Sequence, residues 1–321
     1  MPAEWARHER TLMAWPVRAE LWGEWLPAAE DEYAATANAI AAFEPVLMVA
    51  PPGGGDRARS RCAARVEVVE MPIDDSWLRD SGPVIVGDGN GRRVALDFGF
   101  NAWGRKFKPF DEDARVAGRI AAVLGLPARV VDIVLEGGSI AVDGGGTVLT
   151  TEQCLLHPNR NPGLDREQIE AVLLEALGAT RVVWLGQGLV EDRDTDGHVD
   201  MIAAFLPSGR VLLQDAPPQD PNHEHCRENA DRLRAAGFEV ELMPHLAHVR
   251  AGEAESALSY MNHYVCNGGV ILPLAGAADD DGAVETLRRA YPEHEVVGVP
   301  AGTIAFGGGG PHCITQQVPS R

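Results

Sequence analysis

DREQIEAVLLEALGATRVVWL, residues 165–185, carries one period of the pattern that organises the whole chain. Asp165 stands where a helix N-cap belongs. Ile169, Val172, Leu173 and Leu177 then recur at helical spacing, which predicts an amphipathic helix over about 165–178. RVVWL at 181–185 is short, apolar and rich in branched residues, which predicts a strand. Outward from here the alternation repeats. VLMVA (46–50), VIVG (84–87), VALDF (94–98), RVLLQD (210–215), EVELM (239–243) and GVILPL (269–274) read as strands. Segments at about 26–43, 111–124, 224–236 and 282–291 read as helices, and GDGNG (87–91) as a hairpin turn between two of the strands. The result is an α/β chain with at least five cycles of strands plus one helix, each about 60 residues long. No proline-rich or low-complexity linker divides it, so one domain spanning 1–321 is expected.

Bulk properties narrow the function. The 321 residues carry a formal net charge of -19, which argues against nucleic acid and anionic membrane surfaces as partners and suits a small cationic substrate. The start, MPAEWARHERTLMAWP, has no continuous apolar run of signal-peptide type, and no window approaches a membrane span of about 20 apolar residues. Five scattered cysteines without a CxxC pair read as reduced thiols, so a cytoplasmic setting is expected.

Five segments are too polar and glycine-rich for ordinary core: DDSWLRDSGP (74–83), EGGSIAVDGGGTVLTTE (136–152), DRDTDGHVD (192–200), SYMNHYVCNGG (259–269) and GGGGPHCITQQ (307–317). Their centres, Asp80, Glu136, His198, Asn262 and Cys313, recur at roughly the period of the strand–helix cycles, and a repeat architecture would bring equivalent loops together around one axis. A cysteine in a turn is ordinarily a packing residue, and Cys154 and Cys266 are read so. Cys313 differs, because four glycines precede its Pro-His and glycine permits close approach of backbone to a ligand. His198 lies among Asp192, Asp194, Asp196 and Asp200. Alone it would suit a surface residue or a metal ligand as well as a base, and Asp192 and Asp196 read as a solvated loop. Asp80 and Glu136 each precede small residues, where turn formation is the ordinary role.

If these carboxylates converge on one pocket, they need a cation, and guanidinium matches them: planar, permanently charged and rich in N–H donors. Acids holding its nitrogens would expose its carbon to the Cys313 thiolate. His198 would protonate departing ammonia and then deprotonate the water that attacks an amidino-cysteine intermediate. No metal or cofactor has a task in this scheme.

Together the segments resemble the agmatine deiminase family, within the wider guanidino-modifying, pentein-type superfamily. The resemblance begins with MPAEWARHERTLMAWP and continues through DDSWLRDSGP, EGGSIAVDGGGTVLTTEQCLL, NRNP (159–162), DTDGHVD (194–200), SYMNHYVCNGGVILP (259–273) and HCITQQ (312–317). It implies a five-bladed α/β propeller that converts agmatine to N-carbamoylputrescine and ammonia, a step towards putrescine. By resemblance Cys313 matches the nucleophile, His198 the acid–base residue and Glu136 its carboxylate neighbour. Asp80 and Asp200 match guanidinium ligands, Asp194 a further substrate-contacting acid, and Trp77 an aromatic beside the substrate. Gly310-Pro311, His157 and His263 depart from the family pattern, which more usually has Asn and an aliphatic residue before the His-Cys pair. A homo-oligomer is compatible with the sequence.

Four other readings compete. A peptidyl-arginine or free arginine deiminase would use the same residues, with Arg79, Arg105 or Lys106 meeting the extra carboxylate or peptide group. A metal hydrolase would draw on Asp220, His223, His225 and Cys226, or on His245 and His248, none at a recognisable zinc spacing. Nucleotide binding lacks its glycine fingerprints, and a non-catalytic binding protein would leave Cys313 unreactive.

Overall fold

The computed structural model describes residues 1–87, 91–251 and 254–320. The helix at its centre forms as its spacing predicts. Asp165 and Gln168 make a reciprocal capping box at the N-terminus of Arg166–Leu177, and Gly178 ends it in the left-handed conformation (φ 64°). Ile169, Leu173 and Leu177 are buried, while Val172 sits half-buried at the edge of the same apolar cluster. The helix packs beside strand Arg181–Leu185.

This arrangement occurs five times. Ala141–Val142 pairs antiparallel with Thr147–Thr151, which pairs parallel with Arg181–Leu185 across the helix. Val84–Gly87, Arg93–Gly99 and Ala128–Val134 repeat the order, with helix Val116–Val123 as the crossover. So do Ala203–Phe205, Val211–Gln214 and Val240–Met243, with His223–Ala235. Tyr264–Cys266, Gly269–Leu274 and Glu295–Pro300 follow, with Asp280–Ala290. In the remaining sheet the last strand of the chain, Thr315–Pro319, lies antiparallel to the first, His8–Ala14. Parallel strands Val46–Ala50 and Val66–Glu70 extend it beyond helix Leu26–Ala41. A separate hairpin, Ala247–Ala251 with Ala254–Leu258, follows the fourth unit. The turn expected at 87–91 has residues 88–90 outside the described residues, and the strands on either side of it do pair antiparallel.

Antiparallel pairs need only a hairpin, whereas each parallel pair needs a crossover long enough for a helix, which is why one helix appears per unit. Strands such as VLMVA are buried along their whole length, as expected of central strands covered on both faces. Among the described residues no helix is long and apolar enough to cross a membrane.

The five polar segments occupy equivalent places. Each leads into the antiparallel strand of the next sheet, at 71–83, 135–140, 186–202, 259–263 and 307–314, the fourth after the separate hairpin and the fifth after helix Gly302–Phe306. Three of them contain a single short helical turn, Leu78–Ser81, Gly137–Ser139 and Val199–Met201. A connection of one kind, used repeatedly, therefore delivers most of the chemistry.

The capping box is exposed and remote from these loops. Asp165→Ala should lower folding stability by about 1 kcal/mol, read as a drop in urea midpoint, with the m-value unchanged.

Candidate active site

The loop before the last strand positions Cys313. Its backbone N–H donates to Asn262 Oδ1 (3.2 Å), and its carbonyl accepts from Arg79 N–H (3.2 Å). Gly309 has to be glycine here: an added Cβ would lie 2.7 Å from the Trp77 ring and 2.8 Å from Cys313 Cβ. At the departure from the family pattern, a Cβ on Gly310 would meet Asn262 Oδ1 at 2.8 Å, so this residue leaves room for the side chain that anchors Cys313. His263, another departure, is buried between the Tyr260 carbonyl and the Tyr291 hydroxyl.

Around the sulfur stand the expected acids. Cys313 Sγ lies 3.5 Å from Asp200 Oδ2. Asp80 Oδ1 accepts from Gly138 N–H and Oδ2 from Trp103 Nε1, both at 2.9 Å. His198 sits between two carboxylates, Nδ1 3.8 Å from Asp80 Oδ1 and Nε2 3.8 Å from Glu136 Oε2. These five side chains come from four of the five connections, His198 and Asp200 sharing one, and all are buried. Gly138 lies at their meeting point. A Cβ there would come within 2.6 Å of His198 Nδ1, 2.8 Å of Asp80 Oδ1 and 2.9 Å of Asp200 Oδ2. Several polar atoms around it, namely both His198 ring nitrogens, Glu136 Oε2 and Asp200 Oδ1, have no hydrogen-bond partner. Buried polar atoms left unpaired are costly, so the cluster is arranged for something that supplies donors.

Cys313 and Asp80 open onto a cavity of about 360 Å³ that Trp77, Trp103, Phe107 and Asp194 also line. Thus Asp194 and Trp77 reach the same space as Cys313, as expected. Among the described residues no lysine or arginine lines it. Arg79 points elsewhere, to the His312 carbonyl and Gln317. Lys106 is held by Asp196 and by the carbonyls of Arg193 and Asp194, and Arg105 is exposed.

Electrostatics follows from burial of so many acids. Burial pushes the Asp80 carboxyl up to about 6, with Asp200 and Glu136 adding to the shift against His198 and Trp103. Burial acts the same way on Glu136, but His198 and Arg160 outweigh it and hold this carboxyl below its ordinary value. His198 is driven up despite burial, chiefly by the Asp80 charge, and so carries a proton near neutrality. The Cys313 thiol is pushed well above its ordinary value by burial, then by Asp200 and Asp80. In the free site the sulfur is therefore a thiol.

Sequence reasoning missed several supports. Arg160, within the NRNP block, donates to Glu136 Oε1 (2.7 Å), Asp196 Oδ2 (2.6 Å), Asn159 Oδ1 (2.7 Å) and the Thr195 carbonyl (2.8 Å). Asp192 and Asp196, read as solvated loop, build the turn that presents His198. Asp192 accepts from the N–H groups of Thr195, Gly197 and His198, and Asp196 takes φ 63° while pairing with Arg160. Trp103 reaches Asp80 from φ 53°, a rare conformation for a bulky residue and one that clusters at functional sites. The only signal for these residues was their presence in quoted or aromatic-rich blocks.

Glu136, Cys154 and His198 bring three ligand-type atoms within 4.8 Å of one another. Arg160 is already bonded to that glutamate, and its permanent charge opposes a divalent cation beside it. The arrangement suits an organic cation in the cavity better than a metal behind it.

Comparison with known proteins agrees. A family model described as Porphyromonas-type peptidyl-arginine deiminase matches residues 1–319. The agmatine deiminase of Stutzerimonas stutzeri is 42% identical, covering 100% of this chain and 95% of its own length. That of Pseudomonas fluorescens SBW25 is 40% identical with the same coverage. Among solved structures, the agmatine deiminase of Enterococcus faecalis aligns with a TM-score of 0.95 at 33% identity, covering 100% of this chain and 96% of that one. A cysteine-to-serine variant of the C. jejuni agmatine deiminase, solved with substrate bound, aligns at 0.92 and 29% identity with the same coverage.

Arg160 and Glu136 are both fully buried, so removing one partner strands the other. Arg160→Ala should destabilise the fold by about 3–5 kcal/mol. Because Glu136 is held below its ordinary pKa, the stability it contributes is complete above its unfolded value and lost as pH falls through the lower folded value. The variant should therefore lose less stability than the parent as pH falls below the ordinary glutamate range, measured by urea unfolding from about pH 5 down to about pH 3.

Proposed function

Because the chain belongs to the Porphyromonas-type peptidyl-arginine deiminase family, we propose that it is an agmatine deiminase whose thiol, Cys313, forms a covalent amidino intermediate. The observation that carries this reading is the cavity itself: a sulfur faces buried acids, with no basic side chain lining the space among the described residues. Arginine or a peptide would bring a carboxylate or peptide group that finds no cation there. Agmatine brings a guanidinium at one end and an ammonium at the other.

In this scheme the guanidinium donates to Asp80 and Asp200, whose Oδ1 is unpartnered, and its plane turns the central carbon towards Cys313 Sγ. Trp77 and Trp103 flank the cation, and Asp194 at the cavity wall receives the ammonium end. The arriving positive charge offsets Asp80 and Asp200, the groups that hold the thiol protonated, and so favours the thiolate, whose proton passes to solvent and is balanced there by protonation of the released ammonia. Attack forms the C–S bond and a tetrahedral adduct. His198, protonated and oriented by Glu136, passes a proton to the departing nitrogen, which leaves as ammonia. The neutral imidazole then takes a proton from the water that attacks the amidino carbon. Collapse breaks the C–S bond, releases N-carbamoylputrescine and returns the proton to sulfur.

The finer fold reading belongs to the same proposal. Five like sheets, five equivalent connections and a last strand that pairs with the first support a five-bladed α/β propeller formed by one catalytic domain. Five cysteines without a disulfide among them fit the proposed cytoplasmic setting.

The direct test is release of ammonia and of the carbamoyl product from agmatine, compared with free arginine and a blocked arginine peptide. Agmatine should be turned over in preference to both, and equally well with chelator present. Cys313→Ala should abolish turnover, and His198→Ala should cost about 10²–10⁴-fold in kcat; wild-type rates in either variant remove that residue from its role. Asp80 must be ionised to hold the cation. Protonation as pH falls through about 6 should therefore lower kcat/KM, whereas bound cation should displace the limb of kcat to lower pH.

A further inference from the structure

Asp200, which is not among the residues lining the cavity of Cys313, lines a second and larger space of about 650 Å³. Glu4, Arg79, His263, Tyr291 and His312 line it as well. Here the chain's two ends meet. His312 Nδ1 is 2.8 Å from Asp200 Oδ2, and its Nε2 is 3.2 Å from Glu4 Oε2, a residue 308 positions away in sequence. Asp200 Oδ2 is also the atom within 3.5 Å of Cys313 Sγ, while Asp200 Oδ1 is unpartnered. The side chains thus form a continuous array: carboxylate, imidazole, carboxylate, thiol. Arg79 braces it by donating to the His312 carbonyl at 3.2 Å and approaching Glu4 Oε1 at 3.5 Å.

We infer that Glu4 and His312 are positioning residues for the deimination site: Glu4 keeps His312 an imidazolium, which holds Asp200 Oδ2 so that Oδ1 stays free for the guanidinium. This inference rests on Cys313 being the nucleophile. The N-terminal segment is then part of the machinery rather than a covering strand end. A neutral imidazole with its proton on Nε2 would present a lone pair to Asp200 and repel it. Only the doubly protonated ring donates to both carboxylates at once. The second cavity brings these groups beside a space separate from the one that takes substrate, so their proton exchange need not pass the bound cation.

The charged and titratable groups facing His312 are Glu4, Arg79, Asp200, His263 and Cys313. Burial and Arg79 lower its pKa, but Glu4 and Asp200 outweigh them and leave it raised. Glu4 is itself held down at about 2, because His312 and Arg79 prevail over its burial. His263 is pushed down to about 4 by burial and stays neutral beside them. Removing the Glu4 charge therefore lowers the pKa of His312, and the imidazolium is lost at a lower pH.

The test is the pH dependence of kcat/KM for agmatine in wild type, Glu4→Gln, Glu4→Asp and His312→Gln. Glu4→Gln should move the alkaline limb down by about one pH unit, and Glu4→Asp should restore most of the shift. His312→Gln, which can donate to Asp200 but cannot titrate, should leave only the alkaline limb that His198 sets and raise KM at least tenfold. Alkaline limbs that stay put in Glu4→Gln and His312→Gln would overturn the inference, even if both profiles fall in parallel as a purely structural role would produce. If Glu4→Gln does not fold, the His312→Gln profile decides alone. Turnover by Cys313→Ala would instead overturn the reading of the site itself, so the two failures are distinguishable.

Discussion

Three carboxylates, Asp80, Glu136 and Asp200, are buried around a space only a few ångströms across. Two unit charges about 4 Å apart interact by about 4 kcal/mol at an effective dielectric of 20, so mutual repulsion on this scale shapes everything nearby. The protein answers with three cations among the three acids. Arg160 grips Glu136, His312 grips Asp200, and His198 stands between Asp80 and Glu136. Asp80 has no partner of its own beyond the shared imidazole and two neutral donors, and it is the acid whose pKa rises to about 6. Negative potential left over on the cavity side is what a planar cation would relieve.

Such a balance works only if the side chains cannot move apart, and the fold supplies that rigidity. Each group stands on a short connection that leads into the next sheet. The connections are braced internally. Asp192 ties the loop bearing His198 through three backbone N–H groups, Asn262 fixes the amide of Cys313, and Gly138 N–H fixes Asp80. Glycine at 138 and 309 is required by close packing at the site rather than by flexibility, since any Cβ would collide with the reacting groups. Loops positioned in this way by a rigid scaffold are a common place for catalytic groups.

What could be read beforehand divides along physical lines. Helix 166–177 and strand 181–185 were legible because local spacing and capping agree with where the chain ends up. The five polar segments were legible because glycine and ionisable residues are poor choices for core, and Cys313, His198 and Asp80 stood out for that reason. Their supports did not. Arg160 sits in the NRNP block, and only its tertiary neighbours make it a counter-ion. Trp103 lies in an apolar stretch whose positive φ is not written in any spacing. Asp192 looks like a solvated acid until the N–H groups it accepts are seen. Glu4 and His312 belong to opposite ends of the chain, and their pairing depends on the last strand lying against the first. Residues that do chemistry carry a type signal, whereas residues that hold them carry only a position signal.

The high thiol pKa is then not a defect of the site. Burial, Asp200 and Asp80 keep the sulfur protonated while the cavity is empty, and a guanidinium against the acids would offset two of those three influences. A ligand that lacks a planar cation can enter without neutralising both carboxylates and so leaves the thiol inert. In the proposed mechanism recognition and activation are one interaction: the binding contacts that would select the substrate would also generate the nucleophile, and their energy would appear at the step where it lowers the barrier. A pre-ionised thiolate would separate the two, reacting with any electrophile that reached it. The acids that make the free site costly to build are therefore what makes it selective.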